Sequence, residues 1–164
     1  MTDCIFCHVP ELKASNTPVW LITHASDPIQ NSSVYKSVTV EPPQTITKED
    51  FVQSILFTPA ARLTLSIEEA TNLLTHKKIW NKIIKSDFNH AAIFTDITYI
   101  NDAKIAESLD NAILPRDWDI IIINNNQYIL TKRAANILQA SSRQFHNILT
   151  VFIKSIPGLK IVFI

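Results

Sequence analysis

Asp96 closes the apolar run of IFTDIT, with Thr95 before it and Ile97 after it. A carboxylate at the end of a strand is a natural ligand for a divalent cation between two phosphates, which takes hard oxygens, usually with one or two protein carboxylates. Alternate residues of a strand share a face. Positions 95 and 97 therefore point together, away from Asp96, and carry a hydroxyl and an isoleucine rather than further acids. Asp102 could supply an acid from the following loop, but only as a new site. No competent metal site is expected. Glu69 and His76, in EEATNLLTH, are the next candidates. They read either as residues of a ligand pocket or as a helix cap and an ordinary core or surface histidine.

Two further groups draw the eye. Asp117 and Asp119 bracket Trp118, and strand alternation puts both acids on one face. The plainer reading buries Trp118 and leaves Asp117 in a turn. At the start, CIFCH sets Cys4, Cys7 and His8 in the order of a haem-attachment motif, which needs export. As half of a zinc site it lacks a second ligand pair. Cys4 and Cys7 as small hydrophobes is the reading preferred.

The chain must position these groups within 164 residues, 46% hydrophobic and 18% charged, which is the size and balance of one globular domain, taken here as 1–164. Fifteen basic residues cancel fifteen acidic ones. That balance gives no basic footprint for nucleic acid. The opening MTDCIFCHVPEL has neither the positive start nor the apolar run of a signal peptide, so the two cysteines are expected as thiols. The tail ILTVFIKSIPGLKIVFI is broken by Lys154, Pro157, Gly158 and Lys160, too soon for a bilayer span. An intracellular, cytoplasmic protein is expected. Ile, Asn and Lys are abundant, as in an AT-rich genome, viral or parasitic; for a virus the place would be the host cytoplasm. There is one glycine, against roughly 7% in average proteins. Glycine-rich phosphate loops of the Rossmann and P-loop kinds are thereby excluded.

Strand and helix signals alternate along the chain. PVWLITH, KSVTVE, AAIF, DIIIIN, QYILT and LKIVFI read as strands. DIIIIN is apolar on both faces, which predicts an interior strand covered from both sides. Thr47 with Asp50 starts a short helix, and Ser66 with Glu69 makes a capping box for a helix over 66–86. NDAKIAESLDNAIL reads as a helix stopped before Pro115, KRAANILQ as another, and SSRQFHNILTVFIKSI as the last. Asn124, Asn125 and Asn126 make a turn, asparagine standing in for glycine. Strands interleaved with helices predict an α/β three-layer sandwich around a mainly parallel sheet.

Three motifs, in this order, carry a resemblance. EEATNLLTH followed by KKIWNKII, then IFTDIT, then LPRDWDIIII and YILTKRAANIL together resemble the core of the family 25 glycosyltransferases, over about residues 60–140. The family patterns are GEIGCALSH with LWKKII, ILEDDV, LPxDWDxIxL, and YLISRKGAEKLL. The resemblance implies the A-type nucleotide-diphospho-sugar transferase fold. It also implies a nucleotide-sugar partner, Glu69 and His76 in the donor pocket, and Asp96 beside Thr95 as the remnant of the acidic cluster that holds Mn or Mg. The departures are as specific as the matches. The chain has Thr95 and Ile97 for the flanking acids, NNNQ for a long acceptor loop, and no acid in SSRQFHNIL where the family carries Pro-x-Asp. A degenerate transferase is the expectation, with no cofactor unless it is active. The alternative is a non-catalytic binding or structural protein on the same scaffold, its protein partner unknown.

Overall fold

A computed structural model of the chain describes residues 11–24 and 32–164. Its strands are β1 (Pro18–Ile22), β2 (Ser37–Glu41), β3 (His90–Phe94), β4 (Ile120–Asn124), β5 (Gln127–Thr131) and β6 (Ile161–Phe163). Its helices are α1 (Lys48–Gln53), α2 (Pro59–Thr64), α3 (Ile67–Lys85), α4 (Ala103–Asp110), α5 (Lys132–Ser141) and α6 (Leu149–Ser155). The strands form one six-stranded sheet in the order β2, β1, β3, β5, β4, β6.

The four middle strands are apolar because both of their faces are covered. Trp20, Ile22, Ala91, Ile93, Ile120, Ile122, Tyr128 and Leu130 point to one side, where they pack with residues of α1, α2, α3, α5 and α6. Val19, Leu21, Ala92, Phe94, Ile121 and Ile129 point to the other, against α4 and the short turns at Ala14–Asn16 and Ile97–Asn101. The two-residue alternation along each strand thus sorts the core into two halves. This is a three-layer α/β arrangement, and Ile120–Ile122 are buried between β5 and β6 as expected of DIIIIN.

The sheet is mixed, which corrects the expectation of a mainly parallel one. β1 runs parallel to β2 and β3, and β4 parallel to β6, but β5 is antiparallel to both β3 and β4. The reason is the length of the connection. Only Asn125 and Asn126 separate β4 from β5, whereas a parallel return needs a crossover of about a dozen residues or more. The asparagines do not take the left-handed conformation either, since no non-glycine among the described residues has positive φ. Instead the Asn126 N–H donates to Asn124 Oδ1 at 3.3 Å, and a register shift between Ile122 and Asn124 absorbs the bend.

Helix ends also moved. α4 stops at Asp110 rather than running on to Leu114. Asn111 competes for the backbone, and Leu114 precedes a proline, which disfavours helix. The last helix begins only at Leu149. Before it, Phe145 is extended, donating its N–H to Leu56 O at 2.6 Å and accepting from Thr58 N at 2.8 Å. That pairing buries Phe145 among Phe57 and Phe152. No helix among the described residues is long and apolar enough to cross a membrane.

Candidate functional site

β1 pairs with β2 on one side and β3 on the other. The strand order therefore reverses beside β1, and in open α/β sheets ligands bind outside the carboxyl ends of the strands at such a point. A cleft of about 810 Å³ opens there. Ile22 and Thr95 reach it from the ends of β1 and β3, and Ser66, Glu68, Glu69, Thr71, Asn72 and Thr75 from the first turns of α3. Asn125 and Asn126 of the β4–β5 turn, with Ile148, Leu149, Thr150, Val151 and Lys154 of α6 and its approach, complete the lining together with His24 and Pro43.

Hydrogen bonds tie these elements together. The Gln44 N–H donates to Thr75 Oγ1 at 2.8 Å, joining the segment after β2 to α3. Thr150 Oγ1 donates to Asn125 O at 2.7 Å, joining α6 to the turn. Gln127, 4% exposed, accepts from the Thr95 N–H at 2.8 Å and donates from Nε2 to Thr95 Oγ1 at 2.5 Å. Its carboxamide thereby fixes the end of β3.

The residues singled out from the sequence divide sharply. Thr95 and Glu69 line the cleft; Asp96 and His76 do not. Asp96 is exposed, and its Oδ1 accepts from the Thr98 N–H at 2.9 Å and Thr98 Oγ1 at 2.8 Å, capping the turn Ile97–Asn101. Those two bonds hold its carboxyl below the usual range. Glu69 is in the capping box, its Oε2 accepting from the Ser66 N–H at 2.7 Å while its own N–H donates to Ser66 Oγ at 3.0 Å. Asp102 caps α4 through the Lys104 and Ile105 N–H groups.

His76 is fully buried. Its Nδ1 lies 2.7 Å from Tyr128 Oη, which also accepts from Trp80 Nε1 at 2.9 Å. Burial lowers the imidazole pKa to about 3 and raises that of the Tyr128 phenol. The ring is neutral at neutral pH, inside the core rather than in the cleft. Trp118 is buried as expected. Asp119, 1% exposed, takes both oxygens to Arg133 and accepts from the Lys160 N–H at 3.0 Å. Asp117 stays exposed and pairs with Lys160. Cys4, Cys7 and His8 lie outside the described residues.

The fit to a Mn or Mg ion is poor. Among the described residues no three His, Cys, Asp or Glu side chains come together. Asp96 Oδ1 is held by Thr98, and Thr95 Oγ1 accepts from Gln127 Nε2. No family model matches the chain, and no curated protein matches it.

Sequence reading passed over Asn72, which lines the cleft, and Gln127, which lies behind it and braces Thr95. Asn72 Nδ2 approaches Asn126 Oδ1 at 3.4 Å, a contact between positions too far apart for any local pattern to signal. Gln127 had a signal: a single amide opening the apolar strand QYILT, where burial requires hydrogen-bond partners.

Proposed function

We propose that the protein is a glycosyltransferase-like scaffold, similar to family 25, that uses its cleft for binding and does not transfer sugar. The observation that supports this most strongly is a crevice at the strand ends from which Asp96 and His76, the metal and base candidates, are both turned away. The crevice lies at the strand ends, where a nucleotide-sugar transferase of the A-type fold would hold its donor. Asp96 and Glu69 serve as caps. His76, the natural candidate for a base, is neutral and walled into the core against Tyr128. Metal-assisted departure of a diphosphate needs clustered ligands at the cleft, and neither Asp96, held on Thr98, nor His76, inside the core, supplies them there.

Ligand-dependent stability tests the reading. A ligand at a hundred times its dissociation constant adds about 2.7 kcal/mol to stability. Melting is to be followed with Mn²⁺ and a uridine-diphosphate sugar, together and separately. The proposal predicts no metal-dependent rise at millimolar nucleotide sugar. A rise of several degrees that needs both components would count against it, and would favour the transferase reading with Asp96 as ligand.

A further inference from the structure

The cleft has two kinds of surface. Along α3 and the β4–β5 turn it presents the carboxamides and hydroxyls of Thr71, Asn72 and Asn126; along α6 and its approach it presents Ile148 and Val151, 39% and 42% exposed. A pyranose ring is divided in the same way, with hydroxyls at its edge and C–H groups on its face.

The Asn72–Asn126 pair sharpens the match. Each carboxamide has two N–H donors and an acceptor oxygen. Their mutual bond is single and long, at 3.4 Å, so the pair still offers an amide oxygen from one partner and N–H groups from the other. A sugar hydroxyl both donates and accepts and can use both. A phosphate only accepts.

Charge points the same way. Glu68 and Glu69 face the cleft, and Lys154 is the lysine that does so. Among the described lining residues there is no arginine, phenylalanine, tyrosine or tryptophan. Among the described lining residues a diphosphate would meet two carboxylates against one ammonium and the imidazole of His24, and a nucleobase would find that one small ring to stack on. Carboxylates, by contrast, are strong acceptors for hydroxyl groups.

We infer that the cleft takes an uncharged saccharide, its ring face on Ile148 and Val151 and its hydroxyls on the Asn72–Asn126 pair and Glu68, without a nucleotide or a metal. This deepens the binding reading above and rests on it. Single sugars bind weakly to open clefts, because the gain from a few hydrogen bonds is set against lost freedom and desolvation. The experiment must therefore read weak binding directly.

Heteronuclear NMR on the full chain, with a chelator present, meets that need. The probes are the methyl pyranosides of glucose, galactose, mannose and N-acetylglucosamine, followed by uridine diphosphate and inorganic pyrophosphate. At least one glycoside should shift the backbone and side-chain amides of Asn72 and Asn126 saturably in the millimolar range. Asn72→Ala should weaken that binding about tenfold, with Val151→Glu as a second, exposed test of the apolar side. Uridine diphosphate and pyrophosphate should leave the same signals in place. The inference is overturned if no glycoside moves them, if either anion moves them at lower concentration, or if folded Asn72→Ala binds as wild type does. Turnover of a nucleotide sugar would sink the non-transferring reading and leave a glycoside result standing. Silence from every glycoside without turnover would sink the saccharide alone.

Discussion

His76 shows how a residue type with chemical promise becomes a structural one. Tyr128 Oη accepts from Trp80 Nε1 and lies 2.7 Å from His76 Nδ1, so the imidazole is packed against a neutral phenol with no charged partner, and burial holds it neutral. Its pKa in the folded state is about 3, lowered by burial, against about 6.5 in an unfolded chain. Between these values the unfolded state binds more protons, so stability falls as pH falls through that window. His90 adds in the same direction, its pKa lowered by burial and then by the charge of Lys36. For His76 alone the loss from about pH 7 to about pH 5 is about 2 kcal/mol. Urea unfolding of wild type and His76→Gln at both pH values should show a clearly shallower dependence in the variant, whatever its absolute stability. Equal slopes would mean that the ring is hydrated and titrates normally. The sequence left the pocket and core readings of His76 both open. What decides between them is Tyr128, a partner on another element that no spacing pattern reaches.

Local signals at the ends of elements were the most legible. The capping box of Ser66 and Glu69 is complete because its parts lie within one turn and need no tertiary partner. Ser66→Ala should cost about 1 kcal/mol, read by denaturant unfolding, and a cost near zero would mean that the exposed start of α3 is frayed. Signals that depend on distant packing were not legible. The start of α6 is delayed because Phe145 bridges to Leu56 and Thr58, and the six-residue α2 is too short for a periodic pattern. The direction of β5 was readable, though from turn length rather than periodicity. Asp119 illustrates the other half of the problem. It looked like part of an acid pair, yet it is buried at the start of β4, where it holds Arg133 of α5 and the backbone leading into β6. Asp119→Ala leaves the Lys160 N–H without this acceptor and should destabilise by about 3 kcal/mol. Hydrogen exchange should then speed up first in β6, an edge strand paired on one side by β4. Uniform acceleration throughout the sheet would instead make Asp119 a global support.

At the scale of the molecule, strand order and connection length place a cleft where β1 meets β3, and the sequence marked Thr95 and Glu69, which line it. It did not mark Asn72, Asn126 or Gln127, whose meaning depends on which strand ends meet. The acids sort by geometry into caps, an interior latch and solvent-facing groups, which leaves a polar cleft edged by aliphatic side chains at the strand ends of a mixed sheet. The central claim is that this scaffold does not transfer sugar, and Asp96 is the residue on which it turns. Were Asp96 a working ligand, replacing it with asparagine would remove stabilisation of the leaving diphosphate worth several kcal/mol, a rate loss of about a hundredfold or more. The decisive measurement is nucleotide-sugar hydrolysis and transfer by wild type and Asp96→Asn in matched, folded preparations with Mn²⁺ present. No turnover above the uncatalysed background is expected in either protein, and turnover in wild type that disappears in Asp96→Asn would overturn the non-transferring reading.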